Sequence, residues 1–240
     1  MKKAIYVAII AVIIVAIAFT ALMLILKYDE KGEENMPFNI TKISLISTTD
    51  ASHVEDKKNL WHKSVEQDND IYIYVEKNKE YQKTETIKSI KIDNFKIIEK
   101  PKKGEISIYK PSNNEKQIFE NKEEYKTEQI IVNGTQKTEI QAENISNQGG
   151  IIAFRIANQK LGNYISNEKE INYDELLKKI KITYEEIKSK ISFDLTIQLE
   201  NEKQFKTTVE LDIPLEKVIQ QGKDSKEIEN PNCIFKRIEN

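Results

Sequence analysis

The 240-residue sequence predicts a mainly β protein, in which a single N-terminal transmembrane helix is followed by an extracytoplasmic β-sandwich of immunoglobulin-like architecture with one or two short helices. Three observations predict it. Residues 4–26 run without a charge, and Thr20 is their only polar side chain. Beyond residue 38, short runs rich in Ile, Val, Phe and Tyr alternate apolar with polar side chains, the period-two pattern of half-buried strands. Polar stretches separate these runs often enough to suggest many short strands.

A helix over residues 4–26 would be about 35 Å long at about 1.5 Å per residue, enough to cross a hydrocarbon core of about 30 Å with some tilt. A cleaved signal peptide would have an apolar region of about 7–15 residues and a small-residue cleavage site. This segment instead ends in Leu22-Met23-Leu24-Ile25-Leu26-Lys27. Lys2 and Lys3 precede it, whereas Lys27 is followed by Asp29, Glu30, Glu33 and Glu34, so the positive-inside bias places residues 1–3 in the cytoplasm. Residues 27–37 then form a charged juxtamembrane spacer, and 38–240 an extracytoplasmic β-rich region. That region reads as one domain, or as two divided near the polar stretch 110–117 around Pro111.

The elements follow in order. Asn39–Ser47 carries Ile40, Ile43 and Leu45. In Ile71–Val75, Ile71, Ile73 and Val75 face one way and Tyr72 and Tyr74 the other. Residues 86–98 change parity at Asp93-Asn94, and a bulge there would restore one apolar face. Residues 104–109 continue with Ile106 and Ile108. Asn133-Gly134 is a type I′ hairpin signal between 126–132 and 135–142. Residues 151–157 form another strand, and Gly149-Gly150 before it would admit a close backbone neighbour. Asn172 can cap a short helix bearing Leu176, Leu177 and Ile180, and Thr183 with Glu186 fits a capping box. Residues 193–199 and 205–213 alternate so regularly that their apolar faces match only across an odd loop of three or five residues, with Leu199 opposite Phe205.

Composition narrows the function. Setting aside Lys2, Lys3 and Lys27, acidic residues exceed basic ones by about five beyond residue 27, which argues against a nucleic-acid surface. The lone Cys233 excludes an internal disulfide and a cysteine-based zinc cage. No G-x-S-x-G elbow, phosphate-cradling loop or H-E-x-x-H helix is present, so no catalytic residue, metal or cofactor is assigned. Asn39, Asn133 and Asn144 begin glycosylation-type triplets, which carry no meaning in a bacterial chain, and the heavy Lys, Ile, Asn and Glu usage resembles translation of an AT-rich bacterial genome.

His53 and His62, with Asp50, Glu55 and Asp56 nearby, read as a solvated polar segment and otherwise as the acid–base pair of an anchored hydrolase. Arg155 and Arg237 are the only arginines among 37 basic residues. Arg155 shares a strand face with Ile151, Ala153 and Ala157, where a guanidinium could clamp a small anionic ligand or close an internal ion pair. The expected function is a membrane-anchored binding or structural module of the cell envelope, held in the lipid bilayer by residues 4–26. It would touch a protein partner at the cell surface through a strand edge or the Tyr72/Tyr74 face.

Overall fold

The computed structural model describes residues 15–21, 36–112, 114, 117–134 and 144–238. Eleven strands are described: β1 (Phe38–Glu55), β2 (Trp61–Lys77), β3 (Ile87–Glu99), β4 (Glu105–Tyr109), β5 (Ile130–Asn133), β6 (Asn144–Ser146), β7 (Gly149–Ser166), β8 (Ser189–Leu199), β9 (Gln204–Ile213), β10 (Lys223–Glu229) and β11 (Lys236–Ile238). The first sheet runs β10-β1-β2-β7-β4, with β6 also on β7, and the second runs β11-β9-β8-β3-β5. All pairings are antiparallel, so the chain is mainly β and consistent with a sandwich.

The period-two pattern explains the layering. Ile43 and Leu45 of β1, Ile71, Ile73 and Val75 of β2, and Ile152, Phe154 and Ile156 of β7 point into one core. Ile90 and Ile92 of β3, Phe193, Leu195, Ile197 and Leu199 of β8, and Phe205, Val209 and Leu211 of β9 meet them. Phe154 of the first sheet packs edge-on against Phe193 of the second at 5.2 Å and against Phe95 at 5.4 Å, so one aromatic cluster joins the sheets.

β1, β2 and β7 are 18, 17 and 18 residues long, and their far ends carry a second core. There Ala51, Val65 and Leu161 pack under Leu176 and Leu177 of the helix Leu176–Lys179, Ile187 of Tyr184–Ile187, and Val218 of Val218–Gln221. A buried polar belt lies in the same strands at inward-facing positions. Ser47 Oγ donates to Asn69 Oδ1 at 2.8 Å, the Asn69 and Gln67 side chains bond each other, and Asn69 Nδ2 reaches the Ile156 carbonyl. Leu215 N donates back to Ser47 Oγ at 2.9 Å. Ser47, Gln67 and Asn69 are buried, so each needs these partners.

Most elements lie where the alternation put them. The parity change in β3 is a bulge between Asp93 and Lys96, with Asn94 at φ +52. A bulge between Ile40 and Lys42 likewise brings Ile40 and Ile43 to one core. At Gly149, φ is +116 and an added Cβ would lie 2.4 Å from the Val75 carbonyl oxygen, which is the close approach expected there. Asn172 Oδ1 accepts from Asp174 N, and Thr183 and Glu186 form the capping box.

Three expectations change. The polar segment 50–62 keeps His53, Glu55 and His62 exposed but is built on strands, because β1 continues to Glu55 and β2 begins at Trp61, joined by a turn in which Asp56 Oδ1 accepts from Lys58 N and Leu60 N. The β8–β9 loop has three residues, yet Leu199 faces Lys203 and Phe205 lies opposite Ile197, a two-residue slip that preserves the buried face. β5 pairs with β3, and the second half of the hairpin foreseen at Asn133-Gly134 lies outside the described residues. So does most of the 4–26 span and its spacer. Residues 15–21 are helical, and among the described residues no helix is long and apolar enough to cross a membrane.

The Phe154–Phe193 contact predicts that Phe154→Ala lowers stability by about 3–5 kcal/mol, the cost of a large cavity at a site with little room to collapse. Guanidinium unfolding would measure it, and a loss below about 1 kcal/mol would contradict the joining role.

Candidate functional site: the charged cluster on the outer face of the first sheet

The outer face of the first sheet is built from the side chains that the inner core leaves behind. On β2 these are Glu66, Asp68, Asp70, Tyr72 and Tyr74; on β7, Ala153, Arg155, Ala157 and Gln159; on β1, Asp50. Residues 117–122 cross this face as a strap. Its Phe119 is buried against Ala153, which is itself fully buried, and the Phe119 ring meets Tyr72 at 6.3 Å. β7 is therefore covered on both faces, and the charge at Arg155 lies inside that cover.

Arg155 and Asp70 are directly opposed across the β2–β7 ladder. The guanidinium meets the carboxylate end-on, with Nε donating to Oδ1 at 2.6 Å and Nη2 to Oδ2 at 3.0 Å, the bidentate geometry only arginine supplies. Nη1 reaches Asp68 Oδ2 at 2.9 Å, and the face of the group lies 5.1 Å from the Phe119 ring. Asn121 closes the arrangement from the strap by donating from Nδ2 to Asp68 Oδ1 at 2.9 Å.

The carboxylates outnumber this one cation. Asp50 of β1 is directly opposite Glu66 of β2, and one oxygen from each of Asp50, Glu66 and Asp68 lies within 4.8 Å of the others. Two like charges facing each other across a ladder repel. Gln159 Nε2 donates to Glu66 Oε2 at 3.3 Å, and Gln159 Oε1 accepts from the Tyr109 hydroxyl at 3.0 Å. Burial pushes the Asp68 carboxyl up to about 7; Arg155 pulls against this, and Glu66 adds to it. Burial alone would lower the Arg155 pKa, but the bond to Asp70 and the charge of Asp68 more than offset it and leave it raised.

Each residue singled out in the sequence has a definite place here. The Arg155 guanidinium is engaged by Asp70 and Asp68, the internal ion pair that was one of its two readings. Tyr72 lies half-buried under the strap, and burial raises its hydroxyl pKa. Tyr74 lies under the Lys42 ammonium, at 4.3 Å from the ring centre. His53 and His62 sit at the β1–β2 hairpin end on opposite faces of the sheet. His53 meets the Trp61 ring at 5.1 Å, and His62 Nε2 lies 3.0 Å from Asp56 Oδ2, which holds the Asp56 carboxyl below its ordinary value. The half-buried Cys233 thiol is pushed up to about 11 by burial. The structure adds Glu66, Asp68, Asp70 and Asn121, and it groups Asp50 with Glu66 and Asp68. The three acidic residues of β2 carried a signal in the sequence, since Glu66, Asp68 and Asp70 extend the Tyr72/Tyr74 parity; Asn121 carried none.

No family model matches the chain, and none of the curated proteins does. Among solved structures, the Clostridium perfringens delta-toxin is similar over 87% of this chain and 99% of that one, at 12% identity and a TM-score of 0.16. A likeness of that degree carries no argument about fold or activity.

Arg155→Met would leave buried Asp68 without its counter-charge and lower stability by about 3–5 kcal/mol. Arg155→Lys would recover only part of this, because an ammonium cannot grip both oxygens of Asp70. Urea unfolding near neutral pH checks the order; equal stability of the lysine variant and the wild type would contradict the bidentate account.

Proposed function

We propose that the chain is a membrane-anchored, extracytoplasmic binding or structural module of a bacterial envelope, acting by protein–protein contact. Residues 4–26 supply the anchor in the bilayer, with residues 1–3 in the cytoplasm and a sandwich of immunoglobulin-like architecture outside. The partner is a protein segment in extended conformation that adds to an open strand edge.

One observation carries this reading. On the side of β3 away from β8, β5 covers only Ser89–Ile92, and among the described residues no strand pairs with the stretch that follows. In that stretch Ile97 and Ile98 are exposed, at 44% and 48%. Ile97 borders a cleft of about 200 Å³ floored by Phe95, Ile106, Ile108, Ile156 and Ile191. An open edge offers backbone donors and acceptors to an added strand, and the cleft takes its apolar side chains. The Tyr72/Tyr74 face is the weaker surface, since the strap covers Tyr72.

Two measurements test it. A C-terminal epitope on the full-length chain should be cleaved by protease added to intact cells, and protection of the epitope would contradict the orientation. A photo-crosslinking residue at position 97 should give one discrete adduct, lost when Ile98→Asp spoils the edge. An adduct unchanged in that variant, or none above that from exposed position 58, would contradict the edge.

A further inference from the structure

We propose that β10 is the contact of a two-fold symmetric dimer: a second copy of this chain lays its own β10 antiparallel beside it, about an axis through Ser225, and the first sheet continues from one subunit into the other. Among the described residues, β10 is the last strand of that sheet and pairs with β1 alone. Its Lys223, Ser225, Lys226, Glu227 and Glu229 are exposed.

The ladder shows which backbone groups are open. Thr49 N donates to the Gly222 carbonyl at 2.8 Å, and Asn230 N donates to the Thr41 carbonyl at 2.8 Å. The register between these bonds is unbroken, with Lys42 opposite Glu229 and Thr48 opposite Lys223, so the even-numbered residues of β10 turn their N–H and C=O groups towards β1. Lys223, Ser225, Glu227 and Glu229 turn theirs to the open side. The Ser225 amide has no strand there and is met by Asp224 Oδ1 at 2.9 Å instead.

Charge on an edge strand commonly deters pairing. On β10 it is arranged so that a second copy fits. Lys223, Asp224, Ser225, Lys226 and Glu227 read plus, minus, neutral, plus, minus. An antiparallel copy centred on Ser225 therefore sets Lys223 against Glu227 and Asp224 against Lys226, each pair occurring twice. Centred on Lys226, only Lys223 and Glu229 would match; centred on Asp224 or Glu227, no charges would. The open edge of β3 lacks this symmetry, since a copy centred on Ile97 sets Lys96 against Ile98 and Phe95 against Glu99. Neither Lys223 nor Lys226 has an ion-pair partner among the described residues. Glu227 holds Lys42 through Oε1 at 3.1 Å, and its side chain is still 57% exposed. About the Ser225 axis, 225 meets 225 and 223 meets 227 through the backbone groups already turned outward, and each such residue pair exchanges two hydrogen bonds. These bonds hold the strands together; the exposed ion pairs are individually weak and select the partner and the register.

Disulfide trapping tests this on the full-length chain in detergent micelles, with Cys233→Ala in every sample to remove the native thiol. In the dimer the two Ser225 Cα atoms lie about 5.5 Å apart, inside the disulfide range of about 4.4–6.8 Å. Those of Glu229 are separated by eight residues of strand, about 26 Å. Under one mild oxidant, Ser225→Cys should form a covalent dimer roughly tenfold or more faster than Glu229→Cys. Adding Lys226→Glu to Ser225→Cys sets a carboxylate against Asp224 at two places and should slow trapping roughly tenfold. Adding Asp224→Lys as well exchanges the charges and should restore the rate. Equal trapping at 225 and 229 would overturn the proposal, because sharing a micelle would then account for the contact. An unchanged rate with Lys226→Glu, or no recovery with the exchanged pair, would overturn it too, because the charges would not be selecting a second copy.

Discussion

The burial of charge on the outer face of the first sheet constrains the rest of this structure. An antiparallel sheet commonly leaves one face in water, but β7 is covered on both, by the sandwich core on one side and by Phe119 on the other. Asp68 and Arg155 therefore leave water when the fold closes, and a buried charge is tolerated only where it is paired and hydrogen-bonded. The register of β2 against β7 sets Asp70 opposite Arg155, the next outward residue of β2 places Asp68 within reach, and Asn121 supplies the remaining bond. A slip of one residue would exchange the faces of β2 and put Asp68 and Asp70 among Phe154 and Phe193. The ion cluster and the aromatic core thus specify the same register from opposite sides.

A similar division runs along the sheet. The strands β1, β2 and β7 are long enough to serve two apolar clusters, and where they pass from one to the other their inward positions hold Ser47, Gln67 and Asn69. These side chains satisfy one another, the Ile156 carbonyl and the Leu215 amide. Such a network is worth keeping only when complete, since a half-satisfied one costs more than an apolar core. It fixes the segment after β9 to β1, and it positions the short helices over Ala51, Val65 and Leu161.

Much of this was legible in the sequence because it follows from local rules. The alternation in β8 and β9, the parity change at Asp93-Asn94, the capping box at Thr183–Glu186 and the close approach at Gly149 each belong to a short stretch. The full length of β1 and β2 was not legible, because polar side chains at positions 47, 49, 67 and 69 resemble loop residues until their partners, which come from β7 and the segment after β9, are known. The two-residue slip at Leu199 was equally hidden, since parity fixes which face is buried but not the loop length. Arg155 stood out through the scarcity of arginine, and an internal ion pair was one of its two readings. Its partner Asp70 is 85 positions away, and the strap residue Asn121 is 53 from Asp68, so only the folded ladder joins them.

The central claim is that the β2–β7 register and the strap hold the Asp68 carboxyl out of water beside Arg155, so that it binds a proton more readily than an ordinary aspartate. The most direct measurement is a 13C NMR titration of the side-chain carboxyl carbons of aspartate and glutamate, with Asp68 assigned by comparison with Asp68→Asn. The account predicts that the Asp68 resonance moves with a midpoint at about 7. A midpoint near the ordinary aspartate value of about 3.9 would show that Arg155 and Asn121 hold Asp68 fully ionised, and would contradict the account.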